Sequence, residues 1–147
     1  MDKKPSVTRL TLSKDYKFMY ENFIISTQHE LYLLLENHGG QVDALQFNFV
    51  IYKYGYPNDE GLGVHPMSKF GLSFYGLFRV DNSEWIKKLN ERRPKTSWDL
   101  FQEYQHYIVT FKDVTLDVIS KGFKEMTLTV DEITDLIKEQ VNHLDAD

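Results

Sequence analysis

The regular alternation of side chains over residues 44–54 constrains the fold more than any other feature of this sequence. On one side of an extended chain the residues are all large and apolar: Leu45, Phe47, Phe49 and Ile51. The other side carries Gln46, Asn48, Val50, Tyr52 and Tyr54. A period of two residues is typical of a half-buried β-strand, so the chain contains a sheet and other segments must pair with this strand.

Several other segments are rich in aromatic and β-branched residues, which favour strands. They are residues 6–13, 16–25, 71–80, 106–112 and 115–120. The last two are separated by Asp113 and Val114, and they form either a tight hairpin or one long bent strand. Gly76 interrupts its segment and indicates a bulge or a close approach of another part of the chain. Residues 28–37 fit both a helix and a short buried strand.

Helices are predicted later in the chain. The sequence Asp81-Asn82-Ser83 offers N-caps for a helix over residues 84–93. Ser97 can cap a short second helix through Tyr104. Thr129 and Glu132 predict a capping box for a last helix, because each side chain can bond the backbone N–H of the other residue. The apolar residues of this helix recur at helical spacing: Ile133, Leu136, Ile137, Val141 and Leu144.

Together these elements predict an α+β fold with a mostly antiparallel sheet and helices packed on one face, including a C-terminal amphipathic helix. No repeat or Pro/Ser-rich linker divides the sequence, so a single domain over residues 1–147 is expected. The longest apolar run, Leu31 to Leu35, is far shorter than the roughly 20 residues that a membrane span needs. The basic N-terminus is followed by no apolar segment, so we expect no secretory signal and a cytoplasmic location.

The composition excludes several classes of protein. The 147 residues include 10 Phe, 9 Tyr and 2 Trp, which is too aromatic for a disordered chain. The absence of cysteine excludes a disulfide scaffold, a thiol nucleophile and thiolate metal sites. A net charge of -5 argues against general nucleic-acid binding. Residues 125–147 carry one basic and seven acidic residues, which suits either a basic partner or a solvated helix face.

The segment from Gly55 to Lys69 is the first candidate site, because a long loop without an obvious element is often functional. Its polar residues include Asp59, Glu60 and His65. The alternative is a plain hairpin loop whose histidine is exposed or caps a turn.

His106 is the second candidate, at the start of a predicted strand. On a regular strand it points away from Asp113, which weakens a His–Asp pair built from that strand alone. His106 could instead meet His65, Asp59 or Glu60 across the sheet edge. No metal-binding spacing links these residues, so we predict neither a metal site nor a cofactor. The alternative for His106 is a strand-end histidine that bonds water or a backbone carbonyl.

Aromatic residues provide two further candidates. Tyr52, Tyr54 and Tyr56 are predicted to share one sheet face with Tyr75 on a neighbouring strand, where they suit either a ligand or an interface. The alternative is a partly covered face whose hydroxyls reach water. Trp85 lies near a cluster of basic residues, which could hold phosphates and bases. The alternative is a core tryptophan on a helix whose cations complement the helix dipole.

A set of short motifs adds a resemblance. The motifs are His65-Pro66, Gly71-Leu72, Phe74-Tyr75, Ser83-x-Trp85-Ile86 and a run from His106 through Thr110 and Asp113 to Thr115. Over roughly residues 57–120 they resemble a family of small uncharacterised bacterial proteins. The resemblance implies no activity, and it draws attention to His65, Trp85, His106 and Asp113.

Two hypotheses of function follow. The first is a non-enzymatic protein-binding module of an inhibitor or immunity type, with another protein or a second copy as its partner and no membrane or nucleic acid. It predicts an exposed apolar patch flanked by acidic groups. The second is a small-molecule-binding or hydrolytic domain. It predicts a pocket where His65 and His106 converge with a carboxylate.

Overall fold

The computed structural model describes residues 3–92 and 102–145. The strands are β1 (Ser6–Arg9), β2 (Phe23–Ser26), β3 (Glu30–His38), β4 (Gln41–Gly55), β5 (Gly76–Asp81), β6 (Gln105–Thr110) and β7 (Thr115–Thr129). The helices are α1 (Glu84–Glu91) and α2 (Val130–Asn142). Two short 3₁₀ turns, Leu62–Val64 and Ser68–Phe70, lie between β4 and β5.

The strands form one sheet in the order β1-β5-β6-β7-β4-β3-β2, and each neighbouring pair is antiparallel. The two longest strands, β4 and β7, pair along the middle of the sheet. The segment that fitted both helix and strand is strand β3, because Leu33 and Leu34 are buried on opposite faces of the sheet.

The two faces of the sheet are covered differently. We call the face under α1, α2 and residues 62–72 the helix face, and the other the N-terminal face, because residues 10–18 cover it. Ile86 of α1 packs on Ile119, and Ile133 of α2 packs against Leu34 and Ala44. Both helices therefore lie on one face, and the predicted α+β architecture is confirmed.

Three strand predictions need correction. Residues 16–22 are not a strand, because Phe18 folds over the N-terminal face and is buried in the main core. Strand β5 begins only at Gly76, where the absent Cβ leaves room for the Arg9 guanidinium, which donates to the Tyr75 carbonyl at 3.0 Å. The predicted close approach at Gly76 is thus confirmed. Residues 106–120 form a hairpin, but its second strand, β7, continues to Thr129.

Irregular register in β4 overturns the predicted alternation beyond Phe49. The first shift in its pairing with β7, between Phe47 and Phe49, adds a residue to β7; the second, between Phe49 and Ile51, adds a residue to β4. A single extra residue moves the following side chains to the opposite face. Ile51 therefore packs on the helix face with Ile119, while Tyr52 and Tyr54 join the core of the N-terminal face.

Local capping signals define the helices. Ser83 Oγ accepts from the Ile86 N–H at 3.3 Å and begins α1. The predicted capping box of α2 is present, with both the Thr129 and the Glu132 bonds at 3.0 Å. The short helix predicted over residues 97–104 lies mostly outside the described residues.

Candidate functional site

Asp117 is the centre of the candidate site. It lies on β7 and points to the helix face, between Lys53 of β4 and Ile108 of β6 in register. Its side chain is 13% exposed. A carboxylate so far from water must be hydrogen-bonded to remain ionised.

Two histidines supply those hydrogen bonds. His65 Nε2 lies 2.8 Å from Asp117 Oδ1, and His106 Nε2 lies 2.9 Å from Asp117 Oδ2. Their side chains are only 7% and 4% exposed. The structure therefore brings His65 and His106 together, but through Asp117 and not through Asp59 or Glu60.

The tautomer of His65 follows from its second nitrogen. Nδ1 accepts the backbone N–H of Met67 at 3.0 Å. An accepting nitrogen carries no proton, so the proton of the neutral ring is on Nε2 and is donated to Asp117. The turn after His65 thus fixes the direction in which the ring donates.

His106 is held in a similar way from the start of α1. Its Nδ1 lies 2.8 Å from Ser83 Oγ, the same oxygen that accepts the Ile86 N–H. The Ser83 hydroxyl proton is therefore free to be donated to Nδ1, and His106 Nε2 donates to Asp117. Ser83 is fully buried, so the hydroxyl serves the network and the helix cap.

These bonds set the charge of the network. Burial raises the pKa of the Asp117 carboxyl, but the hydrogen bonds from His106 and His65 and the Coulombic attraction of both rings together lower it by more, so its pKa lies below the ordinary value. All four imidazole nitrogens are engaged. The result is a rigid, ionised Asp117 flanked by two oriented rings.

The network forms one wall of a cleft of about 530 Å³. Trp85 packs edge-to-face on His106, with the ring centroids 5.3 Å apart. The Lys53 ammonium lies 4.5 Å from the centroid of the Trp85 ring, although Lys53 is the register partner of Asp117. The lining residues are Lys53, Tyr56, Pro57, Val64, His65, Pro66, Met67, Glu84, Trp85, Lys88, His106, Thr115 and Asp117.

Hydrogen bonds to the β6–β7 hairpin hold the loop that closes this cleft. Thr115 Oγ1 donates to the Pro57 carbonyl at 2.7 Å, just after the cis Tyr56–Pro57 bond. The Asp59 N–H donates to the Lys112 carbonyl at 2.7 Å, and Asp59 Oδ2 accepts the Tyr75 hydroxyl at 2.6 Å. Asp59 and Tyr75 therefore anchor the loop and do not line the cleft.

The other predicted site residues are dispersed. Tyr52, Tyr54 and Tyr75 pack against one core cluster on the N-terminal face, as the prediction grouped them, whereas Tyr56 is exposed at the cleft on the other face. Glu60 is exposed outside the cleft lining. Asp113 is exposed in the turn between β6 and β7.

Two residues of the network were missed by sequence reasoning. Asp117 had a signal, since it is a lone carboxylate between the apolar residues Leu116 and Val118 of a predicted strand. A charged residue in a buried position is seldom tolerated unless it is paired. Ser83 was recognised as a cap, but its bond to His106 has no local signature.

A separate cluster has the donor types of a metal site. Glu36, His38 and Asp43 place one ligand atom each within 4.8 Å of one another. Lys14 Nζ already lies 2.5 Å from Asp43 Oδ1, and His38 Nε2 lies 2.9 Å from Oδ2. A metal ion would have to displace the Lys14 ammonium, so we do not assign a metal site to this cluster.

Comparisons with known proteins add no family or activity. No protein-family model matches the chain, and neither the curated proteins nor the solved structures contain a match. In the described part of the chain, neither helix has the length and apolar character required to cross a bilayer.

Proposed function

We propose that this protein binds a small organic molecule in the cleft beside Asp117. The observation that carries the proposal is the cleft itself, where aromatic and apolar walls meet a few fixed polar groups. Its volume of about 530 Å³ is within the usual range for small-molecule sites.

The hydrogen bonding favours binding over hydrolysis. A general base needs a free nitrogen within reach of a substrate proton. In His65 and in His106, each of the two ring nitrogens is hydrogen-bonded to another group of the protein. A nucleophile needs access, and the Ser83 hydroxyl is fully buried. The network acts as a positioned wall that orients Trp85 and the neighbouring loop.

The lining residues define what the ligand would contact. Trp85 and Tyr56 offer ring surfaces, and Val64 and Met67 offer apolar contacts. Stacking on aromatic rings favours a flat ligand.

A fragment screen by ligand-observed NMR tests the proposal. We expect flat aromatic fragments to bind the wild type and to lose at least roughly tenfold in affinity in Trp85→Ala. Because Trp85 also contacts His106, the exposed Tyr56→Ala is a second variant that leaves the network intact. Phe74→Ala removes an exposed aromatic residue outside the cleft and should change nothing. Hits that bind all four proteins equally would refute the proposal.

A second candidate, docking of a basic protein partner, is favoured by the surface of α2. Ile137, Val141 and Leu144 are exposed and line a groove beside the β2–β3 turn. Most charges of the α2 region are acidic, which suits a cationic partner. The groove beside α2 shares no lining residue with the cleft, so protein docking there is independent of ligand binding in the cleft.

Affinity capture from the native host would test docking. We expect a basic partner to be retained by the wild type and by Asn142→Glu, which lies off the apolar residues, but to be lost with Val141→Glu. Equal recovery by Val141→Glu would refute docking at this groove.

A further inference from the structure

Five lysines converge on a groove beside the start of α1. The groove has a volume of about 550 Å³ and is lined by Lys3, Lys4, Lys69, Lys87 and Lys88, with Pro5, Phe70, Glu84 and Glu91. These lysines come from three separate parts of the chain: the N-terminal segment, the second 3₁₀ turn and α1. The fold therefore brings the charges together, and no single basic run of the sequence does so.

No lysine of this groove forms an ion pair within residues 3–92 and 102–145, although Glu84 and Glu91 also line the groove. Lys87 Nζ donates only to the Lys3 carbonyl at 3.4 Å, and Lys69 lies over the Phe70 ring. Five lysines against two glutamates leave the groove with three more positive than negative charges. Like charges repel, so a chain of net charge -5 that gathers this excess presents a local site for an anion.

The lysine groove adjoins the cleft. Glu84 and Lys88 line both cavities. One ligand can therefore place a ring against Trp85 and its charged group among the lysines.

Resting in part on the proposed function, we infer that the lysine groove binds the phosphate groups of a small ligand whose flat ring lies in the cleft. Several ammonium groups suit a multiply charged phosphate better than a single carboxylate, and lysine binds phosphate as a compact point charge. A polymer that extended beyond the groove would meet a surface that is acidic overall, so a small phosphorylated molecule fits better than a nucleic acid.

Calorimetry at low salt with pyrophosphate, ADP and a single-stranded 20-mer RNA would test the inference. The variant Lys4→Ala/Lys69→Ala removes two exposed lysines that line the groove and not the cleft. The matched control is Lys124→Ala/Lys138→Ala, which removes two exposed lysines outside both cavities.

We expect pyrophosphate to bind the wild type and the control equally and to bind Lys4→Ala/Lys69→Ala roughly tenfold more weakly. ADP should bind at least roughly tenfold more tightly than pyrophosphate, and Trp85→Ala should remove only that advantage.

Absence of pyrophosphate binding, or equal weakening in the control, would overturn the inference and leave the fragment test of the cleft unaffected. ADP no tighter than pyrophosphate would overturn the two-part ligand, and failure of the fragment screen would show separately that the cleft proposal is wrong. RNA that binds more tightly than ADP and loses affinity in Lys4→Ala/Lys69→Ala would overturn the assignment to a small ligand.

Discussion

Two buried carboxylates on this sheet, Asp117 and Asp43, have contrasting partners. Asp43 is 3% exposed and is bonded by Lys14 and His38, whose side chains are 47% and 52% exposed. Asp117 is bonded by His65 and His106, which are both buried. Each carboxylate has two donors, but only Asp43 has an ammonium group among them.

The partners give the two carboxylates different roles. Lys14 belongs to the segment that crosses the N-terminal face, so its bond to Asp43 ties that segment to β4 and neutralises the carboxylate. Asp117 has no such cation, because Lys53, its register partner, lies over Trp85. Burial alone therefore does not mark a binding site. Asp117 differs from Asp43 because two buried imidazole rings hold it and because it lines an open cleft.

Replacing each carboxylate by its amide should give the largest difference. In Asp117→Asn one amide oxygen cannot satisfy two buried N–H donors, and we expect a loss of about 2–3 kcal/mol in the free energy of unfolding. In Asp43→Asn the exposed Lys14 and His38 can turn to water, so the loss should be roughly 1 kcal/mol. Urea unfolding measures both, with Asp135→Asn on the exposed surface of α2 as the control. Equal losses would mean that the partners do not distinguish the two sites.

Acid titration should show that the two histidines keep Asp117 ionised. Burial raises the pKa of Asp117, but the hydrogen bonds and the Coulombic attraction of the two histidines together lower it by more. A carboxyl whose folded pKa is depressed stabilises the protein above its unfolded pKa of about 3.9 and loses that contribution as pH falls through the folded pKa. Carbon-13 NMR of the aspartate carboxyls should therefore show Asp117 titrating below pH ~3.9. A midpoint above that value would contradict ionisation by the two histidines.

The contrast also shows which parts of the molecule were predictable. The Thr129–Glu132 capping box and the Ser83 cap are local, because residues three apart determine them, and both predictions are confirmed. His65 and Asp117 are 52 residues apart, and their contact depends on the order of β5, β6, β7 and β4 and on how one loop folds back. Periodicity identifies strands but not their neighbours, so the two histidines were candidates while their shared carboxylate was not.

Register shifts limited the prediction of faces for a related reason. The alternation of residues 44–54 was visible in the sequence, but the irregular pairing with β7 was not. The extra residue of β4 between Phe49 and Ile51 reverses the faces of the side chains that follow it, which separated Tyr52 and Tyr54 from the cleft. Tyr56 follows the end of β4 at Gly55, so it lies outside this alternation, and it lines the cleft.

A double-mutant cycle should show that Ser83 belongs to the Asp117 network. Ser83→Ala removes both the cap of α1 and the bond to His106, so we expect a loss of about 1–2 kcal/mol. Combined with Asp117→Asn, the losses should deviate from additivity by more than roughly 0.5 kcal/mol. Thr129→Ala removes a cap distant from the site and should add independently in urea unfolding. Additive losses for Ser83 would place it outside the network.

The smallest effect is expected at the cation of Asp43. Lys14→Met removes the ammonium but leaves the His38 bond to Asp43 in place. Lys14 is also exposed enough for salt to screen its attraction to Asp43. We therefore expect a smaller loss in the urea midpoint than for Asp43→Asn, and a loss that shrinks further in about 0.5 M NaCl. Asp117→Asn should keep its full loss at that salt concentration, because salt screens buried partners much less than exposed ones. The Lys14 Nζ lies 5.4 Å from the centroid of the Tyr16 ring. A loss for Lys14→Met that salt leaves unchanged would indicate that the Lys14 side chain acts through packing against this ring and not through its ion pair with Asp43.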